Sequence, residues 1–322
     1  MTTISDIAAW IRANDWFALM AHVRPDGDSL GSTLALKLAL EQMGKHACVV
    51  YPEPVPETYQ FLPDVDHIVD EDSLPFVPQC AIVIDVAEET RLGRAAKVFR
   101  MVSDRTVIDH HEIAHCEVER HVIRPEAAAA GEIICELLGE LGAPLTKDIA
   151  TCLFTAMSTD TGNFNFSNTT PETLRYCADC VAAGADVSVL TRTLFRLRTP
   201  QRVKLLGLGL NAIEYYAGGR LALTRITQAM FDEAGAVHSD ADRIVNFLMD
   251  TTGVYVAILV EESDDGTKFS FRSIGSTDVA ALARQVGGGG HEHASGATIH
   301  LPMEEAIAKV LAVFLPAAEA IG

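Results

Sequence analysis

The first half of the chain alternates short apolar runs with longer amphipathic stretches. The apolar runs predict strands at 16–21, 47–51, 80–84 and 106–108. The amphipathic stretches predict helices at 30–43, 127–141 and 149–157. Strands that alternate with helices in this way are typical of a parallel sheet covered by helices. The first half is therefore predicted to be an α/β domain.

The pattern changes near residue 190, where positive charge becomes concentrated. This stretch, at 191–205, is predicted to be a connector. Further strands are predicted beyond it, at 220–226, 254–260, 268–272 and 297–301, with a helix at 278–285 and a closing helix. A chain of 322 residues is longer than a single hydrophobic core usually supports, which favours two domains. The prediction is a parallel-sheet domain at 1–190 and a smaller α/β domain at 206–322, with an active-site cleft between them.

The charge balance narrows the classes of partner. A net charge of −19 argues against a protein that holds long duplex DNA, because such binding needs a basic footprint. An acidic chain can still act on phosphates if bound cations invert the local field. No apolar run is long enough to span a membrane, and the first residues do not resemble a secretion signal. A cytoplasmic location is therefore expected.

The seven cysteines are an odd number and are scattered through apolar segments. This pattern favours buried thiols over disulfides. Cys177 and Cys180 form a CxxC pair with no second pair to complete a zinc site, so a structural role is predicted for them.

Acidic and histidine side chains stand where predicted strands and helices end and loops begin. In open α/β sheets, ligand sites gather beyond the carboxyl ends of the strands, so these side chains are predicted to converge on one metal site. The set is His22, Asp26, Asp28, Asp85, Asp109, His110, His111 and Asp160.

Mixed carboxylate and imidazole ligands suit Mn²⁺, with Mg²⁺, Co²⁺ or Zn²⁺ as less selective alternatives. Enough ligands are present for two ions bridged by one carboxylate. Two ions roughly 3.5–4 Å apart can activate a water and stabilise both oxygens of an in-line phosphoryl displacement.

A competing motif, HEIAH at 111–115, matches the zinc-protease signature HExxH. That chemistry needs a helix that places both histidines on one face. Here the motif directly follows a short predicted strand, and the segment at 116–125 has an extended pattern. A protease is therefore kept only as an alternative outside the predicted class.

A glycine-rich loop is predicted at 287–296, between a helix and a strand of the second domain. Glycines let a backbone approach a phosphate closely, which makes Gly289, Gly290 and His291 candidate substrate-binding residues. Arg272 and Ser273 close a nearby strand, where a guanidinium could hold a phosphate by paired hydrogen bonds.

Four motifs together resemble the DHH phosphoesterases that carry a DHHA1 domain, and most closely their bacterial nano-RNase and pAp-phosphatase branch. The motifs are HVRPDGDSLGS at 22–32, DHH at 109–111, STDTGNF at 158–164 and GGGHEHASG at 288–296.

The resemblance implies roles for individual residues. It implies that one Mn²⁺ is held by His22, Asp26 and Asp85. It implies that a second is held by Asp28, Asp85, His110 and Asp160, so that Asp85 bridges the two. It further implies that Asp109 orients a ligand, that His111 faces the scissile phosphate, and that Arg272 and His291 bind the other end of the substrate.

The predicted function is a Mn²⁺-dependent phosphoesterase acting on short single-stranded RNA or on 3′-phosphoadenosine 5′-phosphate (pAp). The alternative within the class is a phosphodiesterase for cyclic dinucleotides or their linear products. A nucleotide-binding module without catalysis is the remaining alternative, and homodimer formation is left open.

Overall fold

The computed structural model describes residues 2–112, 116–263 and 265–321, and the chain divides into two compact units, Met1–Leu197 and Arg198–Gly322. This division falls inside the stretch predicted as the connector. That stretch is largely helical, because a π-helical turn at Arg192–Arg196 precedes the helix Pro200–Asn211. The described cysteines are all free thiols, and Cys177 and Cys180 are buried on the same helix.

The first unit contains a five-stranded parallel sheet. Its strands are β1 (Phe17–Met20), β2 (Ala47–Val50), β3 (Cys80–Ile84), β4 (Asp104–Asp109) and β5 (His121–Ile123). Its helices are α1 (Ile4–Ala13), α2 (Gly27–Gln42), α3 (Ala96–Met101), α4 (Ala130–Leu141), α5 (Lys147–Asp160), α6 (Pro171–Ala182) and α7 (Val187–Thr191). The parallel sheet predicted for the first half is confirmed.

The central strands β1 and β3 are apolar along their whole length because both faces of the sheet are covered. Along β1, Phe17 and Leu19 belong to one buried cluster with α1, α2, α4 and α5, whereas Ala18 and Met20 belong to another with α3. Continuous apolar runs are typical of parallel strands buried on two sides.

The strand order β2-β1-β3-β4-β5 has a consequence for the site. The chain leaves β1 toward β2 on one side and returns to β3 on the other, so the topological switch point lies between β1 and β3. Ligand sites of open α/β sheets form at this point. Register pairs Met20 with Val83 and Ile84 with Ile108, so β1, β3 and β4 end at the same edge.

Helices α2 and α5 pack at unusually close range. A Cβ placed on Gly31 would lie 2.4 Å from the carbonyl oxygen of Cys152 and 3.1 Å from the amide nitrogen of Ala156. Because both neighbours are backbone atoms, neither can move without shifting α5. Glycine is therefore required at position 31 for this packing.

We expect Gly31→Ala to lower the free energy of unfolding by about 1–3 kcal/mol, the usual cost of overpacking a core. The matched control is Gly139→Ala on α4, where an added Cβ meets nothing within 4 Å. That substitution should raise the free energy of unfolding by about 0.5 kcal/mol, because alanine has a higher helix propensity than glycine. Urea unfolding followed by circular dichroism measures both, and equal values for the two variants would contradict the packing argument.

The second unit contains a six-stranded mixed sheet in the order β10-β11-β9-β8-β7-β6. Its strands are β6 (Glu214–Tyr216), β7 (Leu221–Ile226), β8 (Val256–Ser263), β9 (Gly266–Ser273), β10 (Gly289–His291) and β11 (Ala294–Ile299). Its helices are α8 (Pro200–Asn211), α9 (Gln228–Ala234), α10 (Ile244–Met249), α11 (Val279–Gln285) and α12 (Met303–Glu319). Among the strand pairs of this sheet that the structure describes, β7–β8 is parallel and the others are antiparallel.

The two faces of this sheet carry separate cores. One contains α11 and α12, and the other contains α8, α9 and α10. The α/β character predicted for the second unit is confirmed. Among the described residues, no helix combines the length and apolar character needed to cross a bilayer.

Candidate metal centre

Six predicted metal ligands, drawn from five separate segments, lie together at the carboxyl edge of the parallel sheet. His22 follows β1, Asp85 directly follows β3, and His110 directly follows β4. The other three come from helix ends. They are Asp26, the N-cap of α2, Asp28 in the first turn of α2, and Asp160, the last residue of α5.

Asp85 lies at the middle of the group and is almost fully buried, with 1% of its surface exposed. Its Oδ2 lies 3.2 Å from Nε2 of His22, and its Oδ1 lies 3.3 Å from Nε2 of His110. The two carboxylate oxygens thus face different histidines. The backbone of Asp85 has φ of +63°, a left-handed conformation that costs energy outside glycine and recurs at functional sites.

The first ligand cluster consists of His22, Asp26 and Asp85, each with a ligand atom within 4.8 Å of the others. Nδ1 of His22 lies 2.8 Å from the carbonyl oxygen of Val23. A carbonyl only accepts, so Nδ1 donates to it, and Nε2 is the nitrogen that faces the carboxylates. The two carboxylate oxygens of Asp26 have different partners. Oδ1 accepts a hydrogen bond from the amide of Ser29 at 2.9 Å, and Oδ2 lies 3.6 Å from Nε2 of His22.

The second cluster consists of Asp28, His110 and Asp160, again with ligand atoms within 4.8 Å. Nε2 of His110 lies 3.2 Å from Oδ2 of Asp160 and 3.6 Å from Oδ2 of Asp28. Its Nδ1 lies 3.2 Å from the carbonyl oxygen of Ala127, which fixes the same tautomer as in His22.

Asp28 is fully buried and caps a helix that begins about a hundred residues later. The N-cap of α4 is Ala129, which has no side-chain acceptor. Oδ2 of Asp28 instead accepts from the amide of Ala130 at 2.6 Å, and Oδ1 accepts from the amide of Gly131 at 2.9 Å. Burial, and then the charge of Asp85, raise the pKa of Asp28 well above its usual value. The helix predicted at 30–43 begins earlier, at Gly27, so Asp28 lies in its first turn.

Atoms at the centre of the group have no hydrogen-bond partner within the described chain. They include Oδ1 of Asp85 and Nε2 of His110, both buried. Buried polar atoms are rarely left in this state. A carboxylate oxygen and an imidazole nitrogen that face each other form the donor set of a divalent cation, which displaces the imidazole proton when it binds. The residues present therefore fit two metal ions.

The negative charge of the site raises the pKa of the imidazoles of His22 and His110. Burial opposes protonation of His22, but contacts with Asp26 and Asp85 outweigh it and raise the pKa to about 10. Burial likewise opposes protonation of His110, but Asp160 and Asp85 raise its pKa to about 11. A field that holds protons so strongly also attracts divalent cations, which compete with protons for the same ligands.

Asp109 and His111 form a pair beside the clusters. Oδ1 of Asp109 lies 2.8 Å from Nδ1 of His111 and accepts the backbone amides of His110 and His111 at 2.8 and 3.1 Å. The hydrogen bond to Asp109 raises the pKa of His111. His111 also joins Asp85 and His110 in a third set of close ligand atoms. The imidazole is half-exposed, so it can reach a molecule in solvent.

The protease alternative requires a helix over the HEIAH motif. Ile113, Ala114 and His115 lie outside the described residues. His111 and Glu112 form a bend after β4 rather than a helix. The described part of the motif therefore lacks the geometry of a zinc protease.

The predicted substrate-binding residues of the second unit lie on neighbouring strands. The prediction of a glycine-rich loop is wrong for Gly289, Gly290 and His291, because they form β10 and pair with β11. Ala294 on β11 is opposite His291 on one side and Arg272 on the other. Residues directly opposite each other share a face of a sheet, so His291 and Arg272 form one row with a small residue between them.

Arg272 and Ser273 differ in their hydrogen-bond partners. Arg272 donates to the carbonyl of Phe271 at 2.9 Å, has no carboxylate partner among the described residues, and has a pKa lowered by burial. The hydroxyl of Ser273 donates to the carbonyl of Thr277 at 2.6 Å and lies 3.1 Å from Nδ1 of His293. Ser273 therefore supports the strand end, and Arg272 is a cation that can bind an anion.

Sequence reasoning missed the backbone amides that hold Asp28. A signal was present, since the alanine run before α4 offers no capping side chain and a helix N-terminus needs acceptors. It also missed Asn168, whose side-chain amide donates to the carbonyl oxygens of Asp160 at 3.1 Å and Ala128 at 3.3 Å.

Comparisons with known proteins agree with this geometry. The model of the DHH family N-terminal domain matches residues 16–157, and that of the DHHA1 domain matches residues 221–318. The chain is 35% identical to the bifunctional oligoribonuclease and PAP phosphatase NrnA of Thermus thermophilus, over 91% of this chain and 87% of that protein. It is 28% identical to the NrnA of Bacillus subtilis, over 92% of this chain and 93% of that protein.

A solved structure extends the likeness to the whole fold. An exopolyphosphatase-related protein from Bacteroides fragilis superposes with a TM-score of 0.85 at 24% identity, covering 98% of this chain and 97% of that one. At this identity the likeness concerns the fold alone.

Proposed function

Because the chain belongs to the DHH family and carries a DHHA1 domain, we propose that it is a two-metal phosphoesterase that hydrolyses short oligoribonucleotides and pAp. The observation that carries this proposal is the placement of Asp85 between two ligand clusters, with one carboxylate oxygen facing each histidine. A bridging carboxylate of this kind is what two adjacent ions need. The relatives named NrnA support the substrate class.

We assign His22, Asp26 and Asp85 to the first ion, and Asp28, Asp85, His110 and Asp160 to the second. Mn²⁺ is the proposed ion because the donors mix imidazole with carboxylate, and Mg²⁺ or Co²⁺ are the alternatives. When bound, two such ions supply an activated water and neutralise the charge of the phosphoryl group.

The remaining chemistry belongs to side chains of this protein. Asp109 accepts a hydrogen bond from Nδ1 of His111, which leaves Nε2 as the nitrogen that can meet a substrate. We propose that Nε2 of His111 donates to a non-bridging oxygen of the scissile phosphate. The hydrogen bond to Asp109 raises the pKa of His111 and so favours the protonated imidazole that this donation requires. Asp109 acts as the positioning residue.

The row formed by Arg272 and His291 is proposed to bind a substrate phosphate. The guanidinium of Arg272 is half-buried and has no carboxylate partner in the described chain. A desolvated guanidinium gains more from an anion than an exposed one does.

We expect Arg272→Ala to raise KM for pAp by about 10- to 100-fold, because the substrate loses a hydrogen bond to a charged group. The change in kcat should be smaller. The control is Arg284→Ala on α11, an exposed arginine whose nearest carboxylate is Asp278 at 3.9 Å, and it should leave KM unchanged. Steady-state kinetics checks both variants. A similar rise in KM for both would show a general effect of charge and remove the proposed site.

The substrate class is tested with a panel in Mn²⁺ that contains pAp, a diribonucleotide, a cyclic dinucleotide and a long single strand. We expect the first two to give the highest kcat/KM, because a net charge of −19 disfavours many phosphate contacts. Preference for the long strand would refute the charge argument, and preference for the cyclic dinucleotide would favour the other phosphodiesterase activity. Nucleotide binding without turnover in any divalent metal would show a binding module.

A further inference from the structure

An ordered loop at 161–168 follows Asp160, the last residue of α5. Three consecutive residues in it have positive φ, namely Gly162 at 55°, Asn163 at 58° and Phe164 at 65°. Two of these are not glycine, and each such residue costs on the order of 1 kcal/mol. Strain of this kind persists where the surroundings hold the backbone in one conformation, and it recurs at binding sites.

Backbone hydrogen bonds close the loop. The amide of Asn163 donates to the carbonyl of Ser158 at 2.7 Å, and the amide of Phe166 donates to the carbonyl of Thr161 at 3.0 Å. The side chain of Asn168 then donates to the carbonyl of Asp160 at 3.1 Å. The loop therefore returns to the residue assigned as a metal ligand and is fixed against it.

Two phenylalanines of this loop have opposite surroundings. Phe164 packs its ring edge-on against Phe154 of the core, with centroids 5.9 Å apart. Phe166 is 59% exposed. Its ring rests on Gly162, where an added Cβ would lie 2.4 Å from the ring carbon Cζ. One side of the Phe166 ring is thus supported by backbone while the rest of the ring is open to solvent.

Gly162, on which the ring of Phe166 rests, is close in the chain to the proposed metal ligand Asp160. Gly162 is two residues from Asp160, so their Cα atoms are at most about 7 Å apart. A single exposed apolar side chain is common on a protein surface. An aromatic ring held at a fixed position, beside a site for a nucleotide phosphate, has the properties of a stacking platform for a base.

We propose that Phe166 stacks on a nucleobase of the substrate whose phosphate is bound at the clustered acidic residues, an inference that rests on the proposed function. Stacking on an aromatic face does not distinguish one base from another. Phe166 would therefore select nucleotides over phosphates that lack a base, without selecting a particular sequence.

The test compares pAp with ribose 3′,5′-bisphosphate, which carries the same phosphates and no base. We expect Phe166→Ala to raise KM for pAp by about tenfold and to leave KM for the ribose compound unchanged. Phe166→Trp should retain the wild-type KM, and Phe166→Leu, which keeps apolar bulk without an aromatic face, should resemble alanine. Equal changes for both substrates, or wild-type behaviour of the leucine variant, would overturn the proposal.

Tyr215→Ala is the matched control, because Tyr215 is 53% exposed and lies on the edge strand β6 of the second unit. It should change neither KM. A second readout does not depend on turnover, since a dinucleotide containing 2-aminopurine loses fluorescence when its base stacks. Quenching by wild type that disappears in Phe166→Ala supports the platform even if no substrate is hydrolysed, in which case the proposed function alone fails. Turnover of pAp with undiminished quenching in Phe166→Ala would refute the platform alone.

Discussion

Asp85→Asn should reduce kcat on pAp by about 10⁴-fold or more, while the protein folds normally. The expected loss is large because Asp85 belongs to the first ligand cluster and its Oδ1 also lies 3.3 Å from Nε2 of His110 in the second. Each bound ion lowers the barrier by roughly several kcal/mol. Asparagine tolerates the left-handed backbone of position 85 better than other side chains do, so the loop after β3 should keep its shape. Steady-state kinetics with circular dichroism as the fold check measures both effects.

The control for the loss of one negative charge is Asp72→Asn. Asp72 is exposed and its ion pair is with Lys97, so this variant should keep wild-type kcat. Asp85→Asn with more than a tenth of the wild-type kcat would mean that the carboxylate does not bridge two ions.

His111→Ala should lower kcat by about 10²–10⁴-fold, the usual contribution of a positioned proton donor, without lowering the metal content. The reason is that Nδ1 of His111 is hydrogen-bonded to Asp109 at 2.8 Å and lies farther from Asp85, at 3.6 Å. Nε2 of His110, in contrast, lies 3.3 Å from Asp85 and 3.2 Å from Asp160. Asp109→Asn should reduce kcat in the same direction, since the neutral amide oxygen accepts the Nδ1–H hydrogen bond more weakly and no longer stabilises the charged imidazole. Kinetics and metal analysis of the same samples check the prediction.

His110→Ala is the matched control for this pair, because it removes the adjacent imidazole of the second cluster. It should lose one ion as well as activity. If His111→Ala also loses an ion, His111 is a ligand, and its assignment as a proton donor is wrong.

The convergence of the acidic residues was predictable from sequence because it depends on a simple property of parallel sheets. His22, Asp85 and His110 each follow an apolar strand, and parallel strands end at one edge. The strand order could not be obtained from the local pattern, since it depends on which strands pair. The structure supplies that order, and with it the switch point between β1 and β3.

Features that depend on distant partners were not predictable. The segment 26–29 has the composition of a polar turn, yet it begins α2, because Asp26 and Ser29 form a reciprocal cap and the carboxylate of Asp28 is buried against the amides of α4. The glycines of β10 predict a loop by composition, but pairing with β11 turns them into a strand. In both places a tertiary hydrogen bond overrides the local preference.

The difference between Phe164 and Phe166 shows the same limit on a smaller scale. Both residues belong to one short polar stretch, and nothing in the local pattern separates them. Only the packing of Phe164 against Phe154 shows which ring belongs to the core, and only then does the exposure of Phe166 become informative.

The most direct test of the central claim is a calorimetric titration of the metal-free protein with Mn²⁺. We predict two ions per chain for the wild type and none bound tightly by Asp85→Asn. Asp26→Asn should retain only the ion of the second cluster, and Asp160→Asn only that of the first. A single ion in the wild type, or two ions in Asp85→Asn, would contradict the account.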